Sequence, residues 1–218
     1  MRYDERGSFL WVDDSPERRR LALEGKALAE PWAAKGEIAV PDGLIHDWVG
    51  AIFIPSARVE EVLKVVRDYN HHQSFYRPEV VESQILWQNG DEYKVRLRLL
   101  KRKGVTVVLD TEHKIRYEKL GATCWQSWSA STNISEVRNP GKDHGFMWRV
   151  NSYWRLHEGD GGTYVECEVV SLSRTVPGIL ARLIDPIVRQ LPQQSMAETL
   201  RATRAAIEKG RPRGKSEE

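Results

Sequence analysis

A few side chains in this 218-residue chain have the chemistry and the spacing to act on a small molecule. His113 and Tyr117 stand four apart in an alternating segment, so they share one face of a strand. An imidazole can donate, accept or move a proton near neutral pH, and a phenol can assist it. Thr111, Thr132, Ser152 and Ser171 add hydroxyls to that face, and Trp128 and Trp154 add flat apolar surfaces that could stack on a planar ligand. The plainer reading of His113 is a core histidine satisfied by Tyr117 or a backbone carbonyl. For Trp128 and Trp154 the plainer reading is core filling.

Other chemistries find less support. His71 and His72 are adjacent, so on a helix they point about 100 degrees apart and do not converge on a metal. A third ligand would have to come from His144 or Asp143, and we expect no metal. Cys124 and Cys167 form neither a metal spacing nor a disulfide framework and are expected to be reduced and buried. Ser127 and Ser129 lack the sharp turn that exposes a nucleophile. No glycine run builds a phosphate loop with its lysine, so no cofactor is expected. Arg174, in Ser173-Arg174-Thr175, could meet a carboxylate or phosphate, although a surface arginine is the commoner outcome.

Alternation along the chain supplies the elements that hold these residues. Strands are expected at Ile45 to Ile54, Val80 to Gln88, Glu92 to Lys101, Val105 to Glu118, Ala122 to Val137, Phe146 to His157 and Thr163 to Arg174. Asn89-Gly90-Asp91 and Asp160-Gly161-Gly162 mark tight turns. Two short helical pieces follow the first strand, the first capped by Ser56 and amphipathic through Val59, Val62, Leu63 and Val66. A long helix, Gly178 to Lys209, ends the chain. Its second half carries the apolar stripe Met196, Leu200, Thr203, Ile207. Its first half is apolar over a wider arc that includes Ile184 and Val188.

The strands divide into two faces. The apolar one carries Leu97, Leu99, Leu109, Thr111, His113, Tyr117, Trp128, Thr132, Ser152, Trp154 and Ser171. Together with Ile184 and Val188 these form the expected wall of a ligand cavity. The polar one pairs Arg96 and Arg98 with Asp110 and Glu112, and Arg149 and Arg155 with Glu166 and Glu168. Cross-strand charge pairs on a solvated face account for that pattern without catalysis. One bulge would exchange the two faces for the rest of a strand.

The totals narrow the class. A net charge of +2 lacks the concentrated basic footprint of a nucleic-acid binder. Eight tryptophans suit a pocket, an interface or a core equally well. The first residues are charged and no apolar run is long enough to span a bilayer, so a soluble cytoplasmic protein is expected. Residues 1–42 are expected to form an arm with one helix, which starts at Ser15-Pro16 and stops before Pro31. Residues 43–209 form the main domain, and 210–218 a disordered tail.

One strand, two short helices, six antiparallel strands and a long helix resemble the helix-grip fold of the START-like, or SRPBCC, superfamily. Two stretches carry the likeness. Ile54-Pro55-Ser56 before the helix that ends at Asp68-Tyr69 resembles the start of the cyclase and coenzyme-Q-binding branches. Asn151-Ser152-Tyr153-Trp154-Arg155-Leu156, Gly161-Gly162, Tyr164-Val165-Glu166-Cys167 and Pro177 resemble their end. The resemblance implies an α+β domain, a curved seven-stranded antiparallel sheet around the C-terminal helix, with a hydrophobic cavity between them. The leading expectation is binding or transport of a lipid, isoprenoid or aromatic compound, without catalysis. A cyclase or aromatase using His113 and Tyr117 is the first alternative. The second is a partner-protein-binding domain with a vestigial cavity. Transient contact with a membrane or a protein is left open.

Overall fold

The computed structural model describes residues 8–32, 37–103, 105–137, 147–174 and 179–210, without side-chain surroundings for 101–103, 105 and 179–192. The elements, in chain order, are a 3-10 turn at Trp11–Asp14, helix α1 (Pro16–Leu23), and strands β1 (Leu28–Pro31), β2 (Glu37–Val40) and β3 (Gly43–Pro55). Then come helices α2 (Val59–Val66) and α3 (His72–Phe75), and strands β4 (Val80–Asn89), β5 (Glu92–Lys103) and β6 (Val105–Lys119). Strands β7 (Cys124–Glu136), β8 (Met147–Gly159) and β9 (Gly162–Arg174) precede helix α4 (Ile179–Gly210).

Among the described residues the sheet has nine strands in the order β1-β3-β9-β8-β7-β6-β5-β4, with β2 also paired to β3. Seven were expected, and the two extra ones come from the N-terminal arm. β1 lies antiparallel to β3 with Leu28 opposite Ala51, and β2 follows with Glu37 opposite His46. Both occupy the edge of β3 that β9 leaves open. The arm helix starts as expected, with the Ser15 hydroxyl accepting from the Arg18 amide at 3.3 Å and Pro16 in its first turn. It ends sooner than the pattern predicts, since Gly25 turns at φ 84° and Leu28 is already strand. The turn between β8 and β9 is tight, with Asp160 and Gly161 both at positive φ, as a two-residue hairpin that matches strand twist requires.

Helix α2 is not capped by Ser56. Its first amides are met by carboxylates, with Glu61 accepting from the Arg58 amide and Glu158, from β8, accepting from the Val59 amide, both at 2.8 Å. Acceptors at that end complement the helix dipole. The second half of α4 buries its predicted stripe, Met196, Leu200, Thr203 and Ile207. It crosses β3 at Gly50, where a β-carbon would lie 2.6 Å from both the Met196 sulfur and the Leu28 carbonyl oxygen. Only glycine allows this approach.

Two apolar clusters lie on opposite faces of the sheet. The larger joins Ile52, Ile54, Val62, Ile115, Leu156, Val165 and Leu200 on the inner face. The smaller joins Leu10, Trp11 and Val12 of the arm to Val49, Phe53 and Tyr164 on the outer face. The arm therefore covers part of the face expected to be solvated. The Trp11 amide donates to Glu166 at 2.6 Å, the Arg155 guanidinium donates to the Phe9 carbonyl at 2.5 Å, and Glu166 keeps only 1% of its surface exposed. Further along, the outer face follows its charge pattern, with Arg98 and Arg96 donating to Asp110 at 2.7 and 2.8 Å.

Candidate functional site

The register places each expected wall residue. Leu97 faces Thr111, Leu99 faces Leu109, and Val95 faces His113. Ser152 faces Val169, Trp154 faces Cys167, and Ser171 faces His46. These residues share the inner face with the large cluster. Ile184 and Val188 have side chains outside the described residues.

Trp128 and Thr132 are corrections. Between β6 and β7 Glu112 opposes Asn133 while His113 opposes Ser131, which leaves Thr132 as an extra, bulged residue. The bulge exchanges the faces of β7 from that point. Thr132 is exposed and donates to the Glu112 carbonyl at 3.2 Å. Trp128 lies on the outer face beneath Arg116, whose guanidinium is 5.3 Å from the ring centroid. The inner positions belong instead to Trp125, Ser127, Ser129 and Ser131, opposite Lys119, Tyr117, Ile115 and His113. The alternate frame of the same segment carried that signal. His46 and Trp48, in step with Ile52 and Ile54, are two further inner residues that the sequence reading passed over.

Packing divides the inner face lengthwise. Around α2 it is closed, since Val95, Ile115, Tyr117, Leu156 and Val165 are all buried. Towards the other end Leu97, Leu99, Ile134, Ser152, Trp154, Val169 and Ser171 keep part of their surface accessible.

Tyr117 belongs to the closed end. Its hydroxyl donates to the Val66 carbonyl at 3.1 Å and lies 2.7 Å from the Tyr69 hydroxyl. The Arg67 guanidinium lies 4.3 Å from its ring centroid and 4.6 Å from that of Trp125. Burial pushes the Tyr117 phenol well above its ordinary value. His113, four residues back, is about 13 Å away along the strand. Its Nδ1 is paired with the Ser129 hydroxyl at 3.2 Å, and its Nε2 is buried without a partner. Burial holds this imidazole down at about 4, so it is neutral at pH 7. The two groups do not converge on one atom. Thr111 is also committed, donating to the Leu97 carbonyl at 3.2 Å.

At the far flank the His46 Nε2 is paired with the Ser173 hydroxyl at 2.9 Å, and both residues are buried. Burial lowers the His46 pKa, against the pull of Glu37. His71 and His72 diverge. His71 is exposed beside Asp68 at 2.7 Å, and His72 is buried with its Nε2 against the Val66 carbonyl at 3.2 Å. Among the described residues no group of three His, Cys, Asp or Glu side chains could hold a metal, and no helix is long and apolar enough to cross a membrane. Cys124 is half-buried and Cys167 buried, both with free thiols.

No protein-family model and no curated protein matches the chain. Solved structures do. A STAR-related lipid transfer protein from Xanthomonas axonopodis superposes with a TM-score of 0.57 at 19% identity, over 79% of this chain and 99% of the other. The Zhui aromatase/cyclase from a Streptomyces species superposes with a TM-score of 0.54 at 11% identity, over 76% and 94%. Human STARD10 superposes with a TM-score of 0.51 at 12% identity, over 91% and 82%. With the strand order, the two short helices after β3 and the terminal α4 on the inner face, these likenesses show that the chain has the START-like, helix-grip fold.

Proposed function

We propose that this protein binds or carries a hydrophobic small molecule, of lipid, isoprenoid or aromatic type, between the inner face of the sheet and α4. The observation that carries this reading is the half-open end of that face. Leu97, Leu99, Ile134, Trp154 and Val169 retain accessible surface there. Transfer of apolar area from water drives binding, at ~25 cal/mol per Å². The names of two structural neighbours, a lipid transfer protein and an aromatase/cyclase, support a hydrophobic ligand. Acid–base catalysis by His113 with Tyr117 fits less well, because the Tyr117 hydroxyl is held by Val66 at the closed end. His113 serves as a neutral hydrogen-bonding group for a ligand oxygen.

Native mass spectrometry of the protein purified gently from its own cells, followed by organic extraction, tests the proposal. A stoichiometric apolar compound is the expected result. A clean unliganded mass, with no binding of fluorescent fatty acids in titration, would overturn it.

A further inference from the structure

Among the described residues, three buried polar atoms of the inner-face strands have no hydrogen-bond partner: His113 Nε2, His46 Nδ1 and Trp48 Nε1. Their residues are 6%, 4% and 9% exposed. A buried donor or acceptor left unmade costs about 1–3 kcal/mol, so three on one face call for ligand atoms to meet them. They fall into two places. His113 is on β6. His46 and Trp48 are two residues apart on β3, which puts both on the same face.

The register fixes how far apart those places are. His113 faces Ser131, the Ser131 hydroxyl accepts from the Val150 amide at 3.0 Å, Val150 faces Ser171, and Ser171 faces His46. The two histidines thus stand at one level of the sheet, four strand spacings apart, or about 19 Å measured along the sheet at ~4.8 Å each. Each is oriented by a serine through its other nitrogen, His113 by Ser129 and His46 by Ser173. The His46 Nδ1 is 3.8 Å from the Glu37 carboxylate, too far for a hydrogen bond. A ligand hydroxyl could reach both, accepting from the imidazole and donating to the carboxylate.

We infer that His46 and Trp48 form a second polar anchor opposite the His113–Ser129 pair, and that the ligand is an elongated apolar molecule with an oxygen function at each end. A diol, hydroxy ketone or hydroxy acid meets this description, and a lipid with a single polar head does not. The inference rests on the proposed function and narrows its ligand class.

The test is displacement of a fluorescent fatty acid from the full chain by n-alkanols and by α,ω-diols, from octyl to hexadecyl length. One diol length binds at least tenfold more tightly than the alkanol of that length, although the added hydroxyl makes it less apolar. His46→Phe and His113→Phe each bring the affinity of that diol down to that of the alkanol of the same length. Trp48→Phe, which keeps the shape of the core, reduces it, and stands in if a histidine variant fails to fold. Equal affinity of diols and alkanols at every length, unchanged by the variants, would mean that only ordered water meets these atoms. That result overturns the second anchor and leaves the proposed function standing. Failure of both series and of the fatty acid itself to bind overturns both.

Discussion

The hydroxyls of Tyr69 and Tyr117 lie 2.7 Å apart inside the protein, tying the segment after α2 to β6. Tyr117 also donates to the Val66 carbonyl, so this pair closes one end of the inner face. Tyr117→Phe leaves the buried Tyr69 hydroxyl without this partner and the Val66 carbonyl with His72 Nε2 alone, and is expected to destabilise the protein by about 1–3 kcal/mol. Urea unfolding measures the loss. Ligand affinity stays within about twofold, whereas a catalytic or binding role for this phenol would show as a large loss in the same titration.

The bulge at Thr132 makes a cleaner comparison. Trp154→Ala removes an inner-face ring and weakens ligand binding by about tenfold or more, the scale of a buried aromatic anchor. Trp128→Ala removes an outer-face ring and leaves affinity unchanged. Equal losses from the two would show that β7 keeps the unbulged frame.

Gly50→Ala places a β-carbon 2.6 Å from the Met196 sulfur and from the Leu28 carbonyl oxygen. Overpacking of this kind costs about 1–3 kcal/mol. Adding Met196→Ala relieves the contact with the helix and leaves that with backbone, so the double variant recovers none of the Leu28 clash. Thermal denaturation of the variants, singly and combined, gives the coupling.

Burial holds the His113 and His72 imidazoles at about 4, below the ordinary value of 6.5. As pH falls from 6.5 towards 4 the unfolded chain takes up these protons and the folded chain does not. Stability therefore drops across that window, by about 1.4 kcal/mol per pH unit for each such histidine. His113→Phe makes the slope between pH 6 and pH 4.5 shallower by about one proton. An unchanged slope would show that this histidine is charged in the folded state.

Trp11 is buried between the arm and the outer face, with the Arg18 guanidinium 4.3 Å from its ring centroid. Trp11→Ala is expected to cost about 3–5 kcal/mol, as for other large core truncations. Chemical denaturation distinguishes this from a surface arm, whose loss would be within about 0.5 kcal/mol.

Long, regular elements were legible in the sequence because burial on one side leaves a clear period. The six strands from β4 to β9 and the stripe of α4 follow directly from it. What failed was local. Thr132 adds one residue to β7, and nothing in Trp128, Ala130 and Thr132 as residue types distinguishes their frame from that of Ser127, Ser129 and Ser131. The inner wall therefore carries Trp125 and three serine hydroxyls where Trp128, Ala130 and Thr132 were expected. Leu28–Pro31 and Glu37–Val40 are short strands whose pairing depends on the open edge of β3, a tertiary condition that a four-residue segment does not record. Glu166 looks like a surface charge in sequence and is buried because the arm folds over it, the Trp11 amide donating to its carboxylate.

The pairing of β3 with β9 has a consequence for how the protein is made. Gly43 meets Arg174 and Pro55 meets Gly162, so β3 cannot pair with β9 until more than a hundred further residues have left the ribosome. The arm waits as long, since the Trp11 amide is met by Glu166, 155 positions later. During synthesis the apolar side chains of β3 and of Leu10 to Val12 stand uncovered, and β1 and β2 can shield only one edge of β3. Folding of the arm and β3 is thereby deferred until β9 has emerged, and that interval is when a chaperone or an aggregating neighbour would engage them.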